Sequence, residues 1–75
     1  MDIFAQINET SVEGEGQIEA GFLVASVKNT GLGNAIVNGV ILSPGEAKGY
    51  PFVGKAYNAI SYNSQESTLQ IMRID

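Results

Sequence analysis

Two short apolar runs, residues 35–37 and 40–42, flank the dipeptide Asn38-Gly39 in the middle of the chain. Asn-Gly between apolar runs is the preferred sequence of a type I′ turn, because both residues tolerate a positive φ. The segment therefore predicts a tight β-hairpin. The Ser-Pro-Gly-Glu sequence of residues 43–46 predicts a type II turn, since proline presets φ and glycine supplies the positive φ of the third position. These two reversals predict a compact meander from residue 35 to about Phe52.

The other apolar residues also follow the spacing of strands. Short runs rich in Val, Ile, Phe and Tyr recur at intervals of about 8–12 residues between Gly, Pro or Asn. They predict further strands at residues 3–7, 18–27, 50–53, 56–62 and 69–74, and Pro51 either places its strand at an edge or interrupts it. The expected fold is all-β: one domain over residues 1–75, a small jelly-roll-like sandwich or barrel of six to seven short antiparallel strands, closed through its first and last strands.

Residues 8–16 are polar and contain two glycines, and we predict that they form an acidic loop or arm. The apolar positions of the predicted strands make up the expected core: Ile3, Ile7, Leu23, Val37, Val40, Leu42, Phe52, Ile60, Leu69 and Ile71.

The chain is short, and its composition limits how it can be stabilised. Domains of about this size usually need disulfides, a metal or a partner chain. Its 75 residues include no cysteine and no histidine, which excludes disulfides and removes the usual ligands of structural zinc. We therefore expect a homo-oligomer.

The expected oligomer interface combines the N-terminal strand with residues 22–25, which are apolar on both faces of their predicted strand. Acidic side chains near the N-terminus, including Glu19, are expected to face basic side chains of another copy, including Arg73. The predicted oligomer or partner contacts are Ile3, Phe4, Phe22, Val24, Glu13, Glu15, Lys48 and Lys55. The alternative is that the acidic segment is a solvated loop whose charges only aid solubility.

The charge balance disfavours nucleic-acid binding. Eight acidic residues against four basic residues give a formal net charge of −4, whereas affinity for phosphate backbones comes from clustered Lys and Arg. No run approaches the roughly 18 apolar residues of a membrane span. We expect neither a nucleic acid nor a membrane as a partner.

The absent residue types also exclude most catalytic chemistry. Without His and Cys, the usual triads and zinc-activated hydrolysis are ruled out. The segment that contains Glu13 and Glu15 lacks the alternating Asp and Asn residues that bind the ion in recognisable calcium-binding loops. We expect no enzymatic activity, no catalytic residue, no metal and no cofactor.

Tyr50, Tyr57 and Tyr62 leave two interpretations open. They suit half-buried strands, with the rings on apolar neighbours and the hydroxyls in water. They are also candidate contacts for a ligand, in which case the chain is a β-sandwich binding module for a carbohydrate or a peptide.

The sequence Asn29-Thr30-Gly31, residues 35–46 (AIVNGVILSPGE), an aromatic-rich segment and a final strand ending in IMRI follow one another along the chain. This order, over residues 29–74, resembles small β-sandwich proteins of tailed and icosahedral bacteriophage virions, which decorate the capsid or form part of a head fibre. The resemblance implies a non-enzymatic structural protein that is made in the host cytoplasm and lies on the virion surface. It also implies attachment to a major capsid protein or another shell protein, and it favours a homotrimer.

Overall fold

The computed structural model describes residue 4 and residues 6–75, and its regular structure there consists of strands alone. The strands are β1 (Ile7–Val12), β2 (Glu15–Ile18), β3 (Val24–Asn29), β4 (Ala35–Val37), β5 (Val40–Leu42), β6 (Ala47–Tyr50), β7 (Ile60–Asn63) and β8 (Leu69–Ile74). The all-β prediction is confirmed, with eight strands in this part of the chain instead of six or seven.

The strands pair in a nested pattern. β1 pairs with β8, β2 with β7, β3 with β6 and β4 with β5, all antiparallel. This nested pairing is the pattern that one long β-hairpin has when it is folded over on itself. Two further strand pairs, β3 with β8 and β4 with β7, complete the sheets. The result is two four-stranded sheets: sheet A, in the order β1-β8-β3-β6, and sheet B, in the order β2-β7-β4-β5. This is the jelly-roll form of the β-sandwich. The first and last of the described strands pair as neighbours, but each sheet keeps two free edges instead of closing.

Both predicted central turns are present. Val37 lies opposite Val40, and Asn38 and Gly39 have φ values of 51° and 78°, as a type I′ turn requires. In the next turn Gly45 has a φ of 85°, and the Glu46 N–H donates to the Ser43 carbonyl over 3.0 Å. The predicted meander is wrong beyond this turn, because the chain crosses to sheet A and β6 pairs with β3 instead of β5.

The predicted acidic loop over residues 8–16 is wrong. β1 and β2 occupy most of it, and only Glu13 and Gly14 lie between them. β1 is almost wholly exposed, so it lacks an apolar pattern, and its backbone pairing with β8 over six residues makes it a strand. The predicted strand at residues 3–7 shares only Ile7 with β1, and Ile3 lies outside the described residues.

Two long predicted strands are shorter than expected. Gly21, with a φ of 106°, separates β2 from β3, which divides the predicted strand at residues 18–27. β7 begins only at Ile60, because residues 51–59 form an irregular segment. This segment begins with Pro51, which cannot donate a ladder hydrogen bond. The predicted strand at residues 50–53 lies earlier, at β6, and its predicted edge position is confirmed.

The core lies between the two sheets. Its members are Ile18, Phe22, Ala25, Val27, Ala35, Val37, Leu42, Ile60, Leu69 and Ile71. Half of the predicted core is confirmed: Val37, Leu42, Ile60, Leu69 and Ile71.

Four predicted core positions are wrong. Ile7 is on an edge strand, Val40 is beside the hairpin turn and Phe52 is in the irregular segment, and all three are exposed. Leu23 is only half-buried, because Phe22, just before it, occupies the interior instead.

Candidate functional site

The residues predicted for an oligomer interface do not form one surface. Phe4 precedes β1 and is 78% exposed, whereas Glu13 follows the other end of that strand. Val24 is half-buried at the start of β3, and Lys55 is exposed in the irregular segment. The strand connections therefore distribute these side chains over opposite ends of the sandwich.

Phe22 is a correction to the predicted interface. It is fully buried, and its ring stacks on Tyr57 with a centroid distance of 5.0 Å. The Phe22 carbonyl accepts a hydrogen bond from the Tyr57 N–H over 2.9 Å. Phe22 therefore joins the β2–β3 connection to the irregular segment from inside the molecule and contributes to no surface.

Several charged side chains have partners within the chain. Glu15 accepts from the Asn63 amide over 3.1 Å, and Glu13 accepts a longer bond of 3.4 Å from the Thr68 hydroxyl. The Arg73 guanidinium lies 2.7 Å from the Asp75 carboxylate and also donates to the Glu19 carbonyl. The Lys48 ammonium lies 5.7 Å from the centre of the Tyr50 ring. An exposed pair such as Arg73–Asp75 contributes little free energy, but it reduces the availability of Arg73 for another copy.

The three tyrosines occupy two separate places. Tyr50 and Tyr57 form an edge-to-face pair with centroids 5.9 Å apart, and the Tyr57 hydroxyl donates to the Pro51 carbonyl over 2.6 Å. Tyr62 lies across from Gly16 in sheet B, where a Cβ on Gly16 would come within 2.6 Å of the tyrosine hydroxyl. All three rings are half-buried, so they do not form one exposed aromatic platform.

The Tyr50 hydroxyl is the polar side-chain atom that stands out near the core. It is buried and makes no hydrogen bond of good geometry with the described residues. Burial raises the pKa of Tyr50, the neighbouring Tyr57 raises it further, and the nearby Asn38 amide partly offsets both effects. Because the shift favours the neutral phenol, Tyr50 is not suited to act as a base.

The best-formed polar cluster centres on Asn29, the first residue of the Asn-Thr-Gly motif. Asn29 is fully buried at the end of β3. Its amide donates over 2.8 Å to both the Gly33 and Leu42 carbonyls, and its side-chain oxygen accepts from the Gly31 N–H and the Ser67 hydroxyl. All four hydrogen-bonding positions of the side chain are used. Asn29 therefore ties together three connections at one end of the sandwich and is structural.

Neighbouring residues complete this polar end. Ser64 is buried, and its hydroxyl accepts from the Gly14 N–H over 2.6 Å while its own N–H donates to the Gly14 carbonyl. Gly31 lies so close to the connection between β7 and β8 that an added Cβ would be 2.6 Å from the Thr68 backbone nitrogen. The Asn-Thr-Gly motif thus has a packing reason. The sequence signal that could have indicated it is an Asn at the end of an apolar run followed closely by two glycines, Gly31 and Gly33.

Two concave regions are lined by described residues. A cavity of about 150 Å³ opens between the sheets on the β1–β2 side and is lined by Thr10, Val12, Ile18, Tyr62 and Ile71, among others. A wider depression of about 300 Å³ lies around Ser26, Gly49 and Met72. Gln17, Glu19 and Arg73 also line the first cavity, but Arg73 is already bound to the Asp75 carboxylate and the Glu19 carbonyl. Neither region therefore presents a set of free charged groups that converge on one point, as an active site requires.

The ionisable groups of the described residues suggest no chemistry. No group of three or more acidic, histidine or cysteine side chains there could hold a metal ion. The pKa of the exposed Glu46 is lowered because its carboxylate accepts a hydrogen bond from the Ser43 N–H over 2.7 Å, which stabilises a turn. The described residues contain no helix long and apolar enough to cross a membrane.

Comparisons with protein-family models, with curated proteins and with solved structures found no match to this chain.

Proposed function

We propose that the chain is a non-enzymatic structural protein of a bacteriophage virion, which decorates or stabilises the capsid surface as a homo-oligomer. The observation that carries the proposal is the jelly-roll strand order. Double-sheet jelly rolls are typical of viral shell proteins and of lectin-type binding modules. The same fold class therefore supports both the virion role and the alternative role of a carbohydrate- or peptide-binding module.

The side-chain arrangement favours the virion role. Tyr57 stacks on Phe22 and packs against Tyr50, so these rings do not form the open aromatic surface on which a sugar would stack. In contrast, large apolar side chains stand in solvent: Phe4, Ile7, Leu32, Val40, Ile41, Phe52 and Val53. Exposed apolar side chains mark protein contacts where they are contiguous, and Val40–Ile41 and Phe52–Val53 are pairs adjacent along the chain.

The size of the chain adds a second reason. Ten residues form the buried apolar core of the described part, and neither a disulfide nor a described metal cluster supplements it. Binding to copies of itself and to a shell stabilises the folded state by mass action. The proposed partners are a major capsid protein or another shell protein, and the trimer expected from the sequence stays a prediction.

The test is whether the protein is part of a particle. Particles purified by density gradient from the source culture are analysed by quantitative mass spectrometry, with the ratio of this chain to the most abundant shell protein as readout. A fixed ratio of small whole numbers supports the proposal. Recovery of the chain only in the free-protein fraction overturns it, and a free monomer that binds carbohydrate on a glycan array would establish the binding module.

A further inference from the structure

β1 differs from the other three edge strands of the sandwich. It has six residues, whereas β2 and β6 have four and β5 has three. β2 contains Gly16, and β6 contains Gly49 and is followed by Pro51, which are features that limit pairing at an edge. β1 has no Pro, Gly or Lys, and along its other edge no strand of residues 6–75 is paired.

The free edge of β1 presents regularly spaced backbone groups. The Asp75 N–H donates to the Gln6 carbonyl over 3.1 Å, which sets the alternation of the β1–β8 ladder. In an antiparallel pair, every second residue bonds the partner and the others point away. Ile7, Glu9 and Ser11 therefore direct their N–H and C=O groups outward from sheet A.

The open cavity lies on the same side of the molecule. Thr10 and Val12 of β1 line it together with Ile18 of β2 and Ile71 of β8. A strand added to β1 would extend sheet A past this opening and cover apolar atoms that now face solvent. Backbone pairing and apolar burial would thus occur in one contact.

We propose that β1 pairs antiparallel with β1 of a second copy, around a two-fold axis at Thr10. The inference rests on the homo-oligomer of the proposed function. Centring the pair at Thr10 aligns residues 8–12 of both copies and places Glu9 opposite the Ser11 hydroxyl of the other chain. Centring it at Glu9 would bring two carboxylates face to face, which destabilises a strand pair.

This contact has a definite symmetry. An isologous pair of edges closes on itself as a dimer, so its mass is twice 7.9 kDa and differs from that of the trimer expected from the sequence. Sedimentation equilibrium of the intact chain distinguishes the two. We expect a reversible dimer whose fraction rises with concentration.

Cysteine cross-linking tests the register, because the chain has no cysteine of its own. In the proposed pair, Thr10 faces its own copy at a non-hydrogen-bonded position with Cα atoms about 4.5 Å apart, within reach of a disulfide. Asn8, on the same face of β1, would lie about 14 Å from its copy. Under mild oxidation Thr10→Cys should form covalent dimer at least tenfold faster than the matched control Asn8→Cys. Equal rates, or a faster Asn8→Cys, would overturn the register.

A backbone change tests the edge itself. Ser11→Pro removes an outward N–H without touching the β1–β8 ladder, and by symmetry it removes two hydrogen bonds per dimer. The dissociation constant of the Ser11→Pro dimer should be at least tenfold higher than that of the Ser11→Ala dimer, because Ser11→Ala keeps the N–H. Circular dichroism checks whether both variants are folded. If Ser11→Pro does not fold, the cross-linking experiment alone decides the register.

The outcomes separate this inference from the proposed function. A wild-type chain that is monomeric at several hundred micromolar, or an oligomer that Ser11→Pro leaves intact, overturns the β1 contact. If such a chain is still present in particles at a fixed ratio, the virion role stands without it.

Discussion

A single buried amide organises one end of the sandwich. Asn29 satisfies groups from the β3–β4 connection, from Leu42 at the end of β5 and from Ser67 before β8. In a low-dielectric interior, each of these groups would lose its partner if the side chain were shortened. The polar end of the molecule therefore depends on one residue more than on any apolar contact nearby.

Asn29→Ala should lower the free energy of unfolding by about 3–5 kcal/mol, because several buried polar groups lose their partners at once. Asn34→Ala, at an exposed position of the same connection, should change it by less than about 0.5 kcal/mol. Urea denaturation followed by circular dichroism measures both. A loss below 1 kcal/mol for Asn29→Ala would show that water replaces the amide there.

Two glycines of this connection should respond differently to the same substitution. Gly31→Ala forces a Cβ against the Thr68 backbone and should cost about 2 kcal/mol, as overpacking does. Gly33→Ala meets open space and should be neutral or slightly stabilising, since alanine restricts the unfolded chain. Thermal denaturation of the two variants is the measurement, and equal melting temperatures would contradict the close approach.

At the scale of residues, the sequence indicates local conformation better than burial. Asn38 and Gly39 predict their own φ values because the turn depends only on those two residues. The burial of Asn29 was not predicted, since it depends on partners from distant parts of the chain, Leu42 and Ser67. The three tyrosines are half-buried, but Tyr57 lies outside the strands and the Tyr50 hydroxyl is buried instead of in water. Which of the tyrosines share a surface depends on the sheet order.

Among the elements, the central hairpin is the most independent of its surroundings. Gly39→Val places a β-branched residue at a φ of 78° and should cost about 1–3 kcal/mol. Gly39→Asn should cost less than half as much, because asparagine tolerates this conformation. Chemical denaturation decides, and identical losses would mean that side-chain size and not φ limits the position.

The turn after β5 should give a pH-dependent contribution. The pKa of Glu46 in the folded chain lies below its ordinary value of 4.5 because the Ser43 N–H bonds its charged form. The stabilisation is therefore complete above about pH 4.5 and is lost as the pH falls through the lower folded-state value. The difference in melting temperature between wild type and Glu46→Gln should shrink from pH 6 to pH 3, and a constant difference would refute the assignment.

The elements that the sequence did not predict are those held by pairing instead of by apolar pattern. β1 is polar and exposed along nearly its whole length, so its identity as a strand comes from β8, about sixty residues later. Conversely, residues 22 and 23 read as part of a strand, because Phe22 enters the core from a connection and continues the apolar run of β3. These are consequences of tertiary contacts, which a short sequence window does not contain.

For the whole molecule, the core should depend most on Phe22. Phe22→Ala leaves a large cavity and should cost about 3–5 kcal/mol, whereas Leu23→Ala, at a half-buried position, should cost at least 2 kcal/mol less. If Phe22→Ala does not fold, Phe22→Leu gives the same ranking at smaller magnitude. The free energies of unfolding are measured by equilibrium denaturation. A larger loss for Leu23→Ala than for Phe22→Ala would contradict the placement of Phe22 in the core.

The nested pairing also sets an order of events during synthesis on the ribosome. β8 lies between β1 and β3 in sheet A, although it is translated last of the eight strands. Until β8 has left the exit tunnel, β1 has no neighbour among the described strands of its sheet. Of the pairs among these eight strands, only the hairpin of β4 and β5 joins strands that are adjacent along the chain. During synthesis, each nascent chain therefore has its longest edge strand, β1, unpaired while other copies emerge nearby from the same messenger RNA.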